Sequence, residues 1–276
     1  MNNSVAHTSV LKYEKEAIKT FEDALAVEEP LEIKLSFFNN GKTETKNISV
    51  TMRTPGNDAE LAVGFLFTEG IITQNNYIKN IETNQLQNSV TIELYNKSEV
   101  NTDKLNRHFY TTSSCGVCGK ESIEAIKTIK HSATPFNTHF TVAKEVLQSL
   151  PSKLNQVQNV FTLTGGIHAS ALFDLYGNLI SMREDVGRHN ALDKLIGNML
   201  MENNIPLAEH ILLLSGRASF ELIQKSVMAG ISMVAAVGAP SSLAVELAKE
   251  FNVTLIGFLR DDRFNVYSCR NRIVQL

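Results

Sequence analysis

Cys115 and Cys118 are the residues of this chain best suited to covalent chemistry. They sit two residues apart in Ser113-Ser114-Cys115-Gly116-Val117-Cys118-Gly119-Lys120. A structural cysteine is ordinarily surrounded by large apolar side chains. These two are flanked by serines and glycines, which give a bulky reaction partner access and leave the backbone free to bend. Lys120 adds a positive charge that favours thiolate over thiol. A helix expected from Glu121 would present its amide-rich end near Cys118 and act in the same direction.

Several chemistries compete for such a pair. Structural zinc normally takes four ligands, yet beyond this loop the chain offers only Cys269 and seven scattered histidines, with no second C-x-x-C and no H-x3-H. A thioredoxin-like dithiol should follow a strand and open a long helix, whereas Thr102 to Thr112 reads as polar and irregular. Two inert loop thiols are also conceivable, although exposed free cysteines this close together are a liability without a use. The remaining reading is a thiolate that carries a group, such as a persulfide, with its neighbour assisting.

A second polar set falls where strands are expected to end. Glu184-Asp185-Val186-Gly187-Arg188-His189-Asn190 opens a helix, and Ser215-Gly216-Arg217-Ala218-Ser219 links a buried strand to the next helix. Glycine admits close backbone approach, a helix start offers free amides, and Arg217 presents a planar fork of donors, so the set suits a phosphorylated ligand. Gly165-Gly166-Ile167-His168 supplies a further flexible strand entrance. Phe258-Leu259-Arg260-Asp261-Asp262-Arg263 ends the last long strand. Its arginines suit a pyrophosphate, and a carboxylate there suits the amino and ring nitrogens of guanine. Each piece alone has a plainer reading. His189 with Asp193 is as consistent with a capped helix start as with a catalytic pair. His168 fits a satisfied half-buried histidine, and Arg260 to Arg263 fits a solvated turn whose ion pairs contribute little. Taken together, the strand ends favour an anion site.

These residues need a scaffold, and its elements are legible. Leu31 to Phe38 and Thr45 to Met52, joined by Asn39-Asn40-Gly41, read as a β-hairpin. Asn57 is placed to cap a helix with Glu60 at its third position, Leu61, Phe65 and Leu66 on one face and Gly70 as a stop. Strand-like sequence runs from Ile78 to Tyr95, and a helix is expected from Glu121 to Lys130. Beyond Asn137 the pattern changes. Thr141 is expected to cap a helix reaching Leu154; His168 to Asp174 and Asn178 to Met182 flank Leu175-Tyr176-Gly177 as a hairpin. Ala191, Leu192, Leu195, Ile196, Met199 and Leu200 recur at helical spacing. Strands at Ile211 to Leu214, Ile231 to Val237 and Val253 to Phe258 then alternate with helices at Ala218 to Ala229 and Leu243 to Lys249. The alternation implies an α/β sheet, largely parallel and covered on both faces, whose ligands bind at strand carboxyl ends. The reading divides the chain into a smaller α+β domain over 1–137, carrying the C-x-x-C loop and the helix after it, and an α/β nucleotide- or cofactor-binding domain over 138–276.

Composition narrows the function classes. At 276 residues with 43% hydrophobic content, the chain can bury a sizeable core. A net charge of -3 argues against a nucleic-acid polymer as ligand but leaves room for a local anion site. Met1 to Lys12 is polar. The longest apolar stretch, Val227 to Pro240, is interrupted by Gly230, Ser232 and Gly238 and is too short for a bilayer. A cytoplasmic protein with no membrane segment is expected, and three cysteines agree with a reducing compartment.

From Arg53 onward the chain resembles the FdhD/NarQ family of formate dehydrogenase accessory sulfurtransferases. The resemblance rests on Arg53-Thr54-Pro55-Gly56, Gly64-Phe65-Leu66, Ser114-Cys115-Gly116-Val117-Cys118-Gly119, Gly165-Gly166-Ile167-His168-Ala169, Glu184 through Lys194, Ser215-Gly216-Arg217, and Phe258-Leu259-Arg260 with Arg263. It implies a protein that accepts sulfur from a cysteine desulfurase as a cysteine persulfide. That sulfur would pass to a molybdenum cofactor bearing two molybdopterin guanine dinucleotides, which formate dehydrogenase receives. By the same resemblance Cys115 carries the persulfide and Cys118 assists or resolves it. Phe258, Leu259, Arg260, Asp261, Asp262 and Arg263 match the cofactor segment, beside Arg217, Gly216 and His189 at the neighbouring strand and helix ends. The family is similar in fold to cytidine deaminases, so a cytidine-deaminase-like mixed or parallel sheet with helices on both faces is implied. Zinc deaminases carry H-x-E and P-C-x-x-C at two helix starts, where this chain has Arg188-His189-Asn190-Ala191 and Ser215-Gly216-Arg217-Ala218; no metal site and no zinc are expected. The apolar helix faces and the resemblance together favour a homodimer. A chaperone that binds the molybdenum cofactor without carrying sulfur is the alternative.

Overall fold

The computed structural model of the protein describes residues 4–15, 17–39, 41–96, 136 and 139–275. The C-x-x-C loop, the helix expected from Glu121 to Lys130 and the 137/138 boundary lie outside the described residues. In chain order, β1 (Val5–Glu14) and β2 (Ala17–Ala26) form a two-stranded antiparallel ribbon. Next come β3 (Glu29–Asn39), β4 (Lys42–Arg53), α1 (Asp58–Thr68), β5 (Ile78–Asn84) and β6 (Ser89–Leu94). Then follow β7 (Val142–Ala143), α2 (Lys144–Asn155), α3 (Asn159–Thr164), β8 (His168–Phe173), β9 (Leu179–Asp185) and α4 (Arg188–Met201). The chain ends with β10 (Ile211–Leu214), α5 (Phe220–Met228), β11 (Met233–Ala236), α6 (Ser242–Glu250), β12 (Thr254–Gly257), β13 (Asn265–Ser268) and β14 (Ile273–Val274).

Two larger sheets organise these elements. The first has the order β4-β3-β6-β5, and the second β13-β12-β11-β10-β8-β9. The second is mixed: its middle follows the parallel alternation, and one end is the hairpin expected around Leu175-Tyr176-Gly177. Only β10, β11 and β12 run parallel, while β8, β9 and β13 are antiparallel to their neighbours. The reason is local. Asp174 accepts hydrogen bonds from the amides of Tyr176 (2.9 Å) and Asn178 (2.8 Å), closing a tight turn that returns β9 beside β8. Hairpin strands cannot be parallel.

Burial on both faces does hold. Along β10, Leu212 and Leu214 join one apolar cluster and Ile211 and Leu213 join another, as expected for a strand covered on each side. The first cluster is continuous from Leu31, Ile33 and Leu35 of β3 through Leu61 and Leu66 of α1 to Leu192 and Ile196 of α4. The second cluster is closed by Leu147, Leu150 and Leu154 of α2. The layers are therefore four-stranded sheet, helices, six-stranded sheet, helix.

The helix expected after Asn57 is present, with different chemistry at its start. Asn57 adopts φ 58° and makes no capping bond through its side chain. Buried Arg53 instead grips Asp58 with two hydrogen bonds, 3.0 and 2.9 Å, and also reaches Glu29 at 3.2 Å. Glu60 does not fold back as a capping partner; it receives a hydrogen bond from Arg183 at 2.8 Å. The helix buries Leu61, Ala62, Val63, Gly64, Leu66, Phe67 and Thr68 in place of a single apolar face, because it lies between two sheets. Likewise Thr141 does not cap α2, whose N-cap position is Ala143 at the end of β7. No element is expected before Leu31; that segment contains the β1–β2 ribbon.

Where α1 crosses α4 the backbones touch. A Cβ on Gly64 would overlap the Asp193 carbonyl, and one on Gly197 would overlap the Glu60 carbonyl. Around this contact lie two buried ionic groups. Lys194 Nζ meets Asp185 at 2.7 Å and donates to the Thr54 carbonyl at 2.8 Å, both side chains being almost fully buried. Lys225 of α5 meets Asp193 at 2.9 Å and donates to the Thr68 hydroxyl at 2.9 Å, while Thr68 donates to Asp193 at 2.8 Å. Burial opposes charge on Asp193 and pushes its carboxyl up. Burial opposes charge on Lys225 as well, but the Asp193 and Glu69 carboxylates outweigh it and its pKa is raised. The ionised pair is the state that the donor arrangement supports. Gly64→Ala is expected to destabilise the protein by about 2 kcal/mol or more in a denaturant titration, because neither backbone can retreat. Gly166→Ala, whose Cβ would find its nearest neighbour at 3.8 Å, should leave the midpoint nearly unchanged.

Candidate functional site

Three loops at the carboxyl ends of β10, β11 and β12 stack into one surface. The Gly238 amide donates to the Gly216 carbonyl (2.9 Å), the Phe258 amide to the Gly238 carbonyl (3.1 Å), and the Leu259 amide to the Ala236 carbonyl (3.0 Å). A side chain at 238 would come within 2.8 Å of the Arg217 amide, so only glycine allows this approach. Phe258 holds a left-handed φ of 54° and stays partly in solvent. Such a conformation in a non-glycine residue is strained and persists only where its surroundings fix it.

Beside this stack opens a cleft of about 820 Å³. One wall is the loop after β12, contributing Leu259, Arg260, Asp261, Asp262 and Arg263. The opposite wall is the α2–α3 connection, with Leu154, Gln158 and Phe161, and the floor is Gly165, Gly166, His168 and Ser215. Arg260 is held at the mouth, where its Nη1 donates to the carbonyls of Val237 and Leu259, each at 2.7 Å. Arg263 is exposed and 3.5 Å from Asp262. Sequence reasoning missed the second wall, because no motif marks residues 155–164. The only available signal was the polar break Asn155-Gln156 after an apolar helix. Gln158 is 3% exposed, and its Nε2 has no hydrogen-bond partner among the described residues.

The other expected residues do not line the cleft or lie outside the described residues. Gly216 lies under His168, where a Cβ would meet Nδ1 at 3.2 Å. Arg217 is exposed at the start of the α5 loop. His189 Nε2 is 3.2 Å from both the Ser219 hydroxyl and the Glu221 carboxylate. The hydrogen bond from His189 pulls Glu221 down to about 2, against the opposing effect of burial. Asp193 is turned inward to Lys225 and makes no pair with His189. Cys115 and Cys118 lie outside the described residues. Cys269 is half-buried at φ 49°, and burial pushes its thiol up, which makes it a poor nucleophile.

His168 carries the electrostatics of the floor. Burial lowers its pKa, and the positive charge of Arg188 and Arg217 lowers it further against the opposing Asp185 carboxylate, so the imidazole is neutral at pH 7. The helix start at Gly187 is less open than the sequence suggests. Asp185 already accepts from the Gly187 amide (2.8 Å), the Asn190 side chain (3.1 Å) and the Thr54 amide (3.1 Å). Glu184 likewise accepts from the amides of Val160 (3.1 Å) and Phe161 (3.0 Å) at the start of α3. Much of the Glu184 to Lys194 motif is thus structural, tying β9 and α4 to the Arg53-Thr54 end of β4.

The donor set of the cleft is cationic at its mouth, polar at its floor and partly apolar along its second wall. It fits a ligand with phosphates, a hydrogen-bonding heterocycle and flat apolar faces. Among the described residues, no group of three or more His, Cys, Asp or Glu is arranged to hold a metal ion. No helix among them is long and apolar enough to cross a membrane.

Comparisons with known proteins agree with one another. The FdhD/NarQ family model matches residues 26–274. The chain is 45% identical over 281 residues to the "Sulfur carrier protein FdhD" of Streptomyces avermitilis, covering 99% of this chain and 97% of that protein. It is 48% identical over 259 residues to the protein of the same name from Mycolicibacterium paratuberculosis, covering 91% and 92%. In fold it is similar to a putative formate dehydrogenase accessory protein from Desulfotalea psychrophila. The TM-score there is 0.77 at 22% identity, over 98% of this chain and 100% of that one. On the extent of the family match and the identity of these relatives, the chain belongs to the FdhD/NarQ family.

Proposed function

We propose that the protein is a cytoplasmic sulfurtransferase that matures formate dehydrogenase. It takes sulfane sulfur from a cysteine desulfurase onto Cys115 and delivers it to a bis-molybdopterin guanine dinucleotide cofactor, its substrate, held in the cleft. The observation that carries this reading is the cleft, with Arg260, Asp261, Asp262 and Arg263 on one wall and neutral His168 on its floor, in a chain whose relatives are named sulfur carrier proteins.

The chemistry balances with the residues available. The Cys115 thiolate attacks the terminal sulfur of the donor persulfide; the donor S–S bond breaks, and the donor cysteine leaves as thiolate. Delivery requires two electrons, because sulfane sulfur must leave as sulfide. Attack of the Cys118 thiolate on Cys115 Sγ supplies them, forming a Cys115–Cys118 disulfide as sulfide passes to the cofactor. Cellular thiols then reduce the disulfide. In the cleft, the arginines fit the pyrophosphate of a guanine dinucleotide arm. The carboxylates of Asp261 and Asp262 suit the guanine amino and ring N–H groups, which need acceptors.

After incubation with a cysteine desulfurase and cysteine, intact mass spectrometry should show a reducible one-sulfur adduct that Cys115→Ala removes and Cys269→Ala retains. An adduct that survives in Cys115→Ala/Cys118→Ala would falsify sulfur carriage by this loop. A chain that binds cofactor but never gains the adduct would be a chaperone.

In calorimetry with guanosine diphosphate, Arg260→Ala should weaken binding by roughly 1.5 to 3 kcal/mol, and Arg260→Lys should recover only part of it. The loop-cysteine variants should bind as wild type. Arginine variants of undiminished affinity would remove the cleft from the mechanism.

His168 adds a pH signature. Its pKa lies below the ordinary value, so it gains a proton only as pH falls below about 6.5. A nearby anion favours the protonated form. Wild-type affinity for guanosine diphosphate should therefore rise relative to His168→Gln between pH 7.5 and pH 5.5; parallel curves would remove His168 from the ligand site.

A further inference from the structure

The starts of α4 and α5 carry the wrong charge for helix starts. Acids are stabilising at a helix amino end and cations are not, yet α4 opens on Arg188 and His189 with no acid in its first turn and no side-chain cap at Gly187. Arg217 precedes α5, whose N-cap Ser219 also makes no capping bond through its side chain. The Ser219 hydroxyl turns to His189 (3.2 Å) and Glu221 (3.1 Å) instead, which ties the two helix starts together. Glu221 is engaged by His189. Arg188 Nε is buried without a hydrogen-bond partner, and neither Arg188 nor Arg217 forms an ion pair among the described residues.

These charges gather on one side of β8. Both arginines bear on His168, whose ring packs over Gly216. Ser170 lies on the same face of β8, one pleat further in; it is 1% exposed and its hydroxyl has no partner among the described residues. Leu172, next on that face, joins the cluster of Leu192 from α4 and Leu222 from α5, so the face looks toward those helices. The α2–α3 wall of the cleft lies on the opposite face of the sheet, with Leu147, Leu150 and Leu154.

We infer that the paired starts of α4 and α5 form a phosphate-binding site, gripped by Arg188 and Arg217 and backed by His168 and Ser170. Two unpaired guanidinium groups, the free amides of two helix starts and a buried hydroxyl donor are what a compact oxyanion with several acceptor oxygens takes up. Its arrival would also neutralise charge that both helices otherwise carry at a cost. The site goes beyond the sulfur-transfer reading, since it needs neither the loop cysteines nor a nucleotide in the cleft. Its phosphate is either free or carried by the ligand of the cleft.

The test is calorimetric titration of the full chain with inorganic phosphate at matched ionic strength, with and without saturating guanosine diphosphate. Wild type should bind one phosphate. Arg188→Gln and Arg217→Gln should each weaken it by about tenfold, and Arg188→Lys should retain part of the affinity. In phosphate-free buffer Arg188→Gln should melt no lower than wild type, because it loses an unpaired cation from a helix start. Phosphate that still binds beside guanosine diphosphate is a free ligand; phosphate displaced by it, with nucleotide binding weakened in Arg188→Gln, is the nucleotide's own. A chain that binds no phosphate overturns the inference. So does phosphate bound equally by both glutamine variants, or an Arg188→Gln chain that melts well below wild type without phosphate, which would make Arg188 structural. Loss of the Arg260→Ala effect bears on the cleft alone and leaves these outcomes unchanged.

Discussion

Two glycines, Gly64 on α1 and Gly197 on α4, let the helix backbones meet, and that contact fixes the spacing of the two larger sheets. Helices separated by ordinary side chains pack with their axes 8–10 Å apart; here each glycine faces a carbonyl of the other helix. Because α1 is backed by the four-stranded sheet and α4 by the six-stranded one, the crossing joins two apolar layers into a single cluster. The short separation also brings Asp193 to Thr68 and Lys194 to the Thr54 carbonyl. A larger residue at the crossing would part these polar contacts as well as the apolar ones.

Those polar contacts are expensive. Lys194, Asp185, Lys225 and Asp193 are all withdrawn from water, and apolar replacements of similar volume are often as stable as a buried ion pair. What the pairs add is register. Asp185 collects donors from Thr54 just past β4, from α4 and from the turn between β9 and α4, so a shift of any one would strand a buried charge. The same turn leads into the cleft floor through β8, which pairs His168 with Asp185. Precision in the floor is thereby borrowed from the buried carboxylate.

Periodicity made most strands and helices legible, because burial on two faces leaves continuous apolar runs such as Ile211 to Leu214. Strand direction was less so. The antiparallel return of β9 was legible from its turn at Leu175-Tyr176-Gly177, but apolar runs carry no sign, and neither the antiparallel pairing of β8 with β10 nor that of β13 with β12 is marked in the sequence. At α1, the Asn57 and Glu60 spacing looked like a capping box, but Arg183, far along the chain, takes the Glu60 carboxylate, which local sequence cannot show. The Arg260 to Arg263 wall was visible as charge after a strand. Its opposite wall was not, since Gln158 and Phe161 join the site only through tertiary placement.

The loop stack has a further consequence for how the cleft yields. Gly238 lies between two neighbours by backbone hydrogen bonds, and Phe258 is locked in a conformation that isolated phenylalanine avoids. That side has little slack. The facing wall hangs on a six-residue helix, held at its start by the Glu184 carboxylate and showing Phe161 and Leu163 to solvent. Accommodation of a bulky guest therefore falls on one jaw. Any ordering that such a guest demanded would fall on that short helical segment, with the arginine-bearing side as the template.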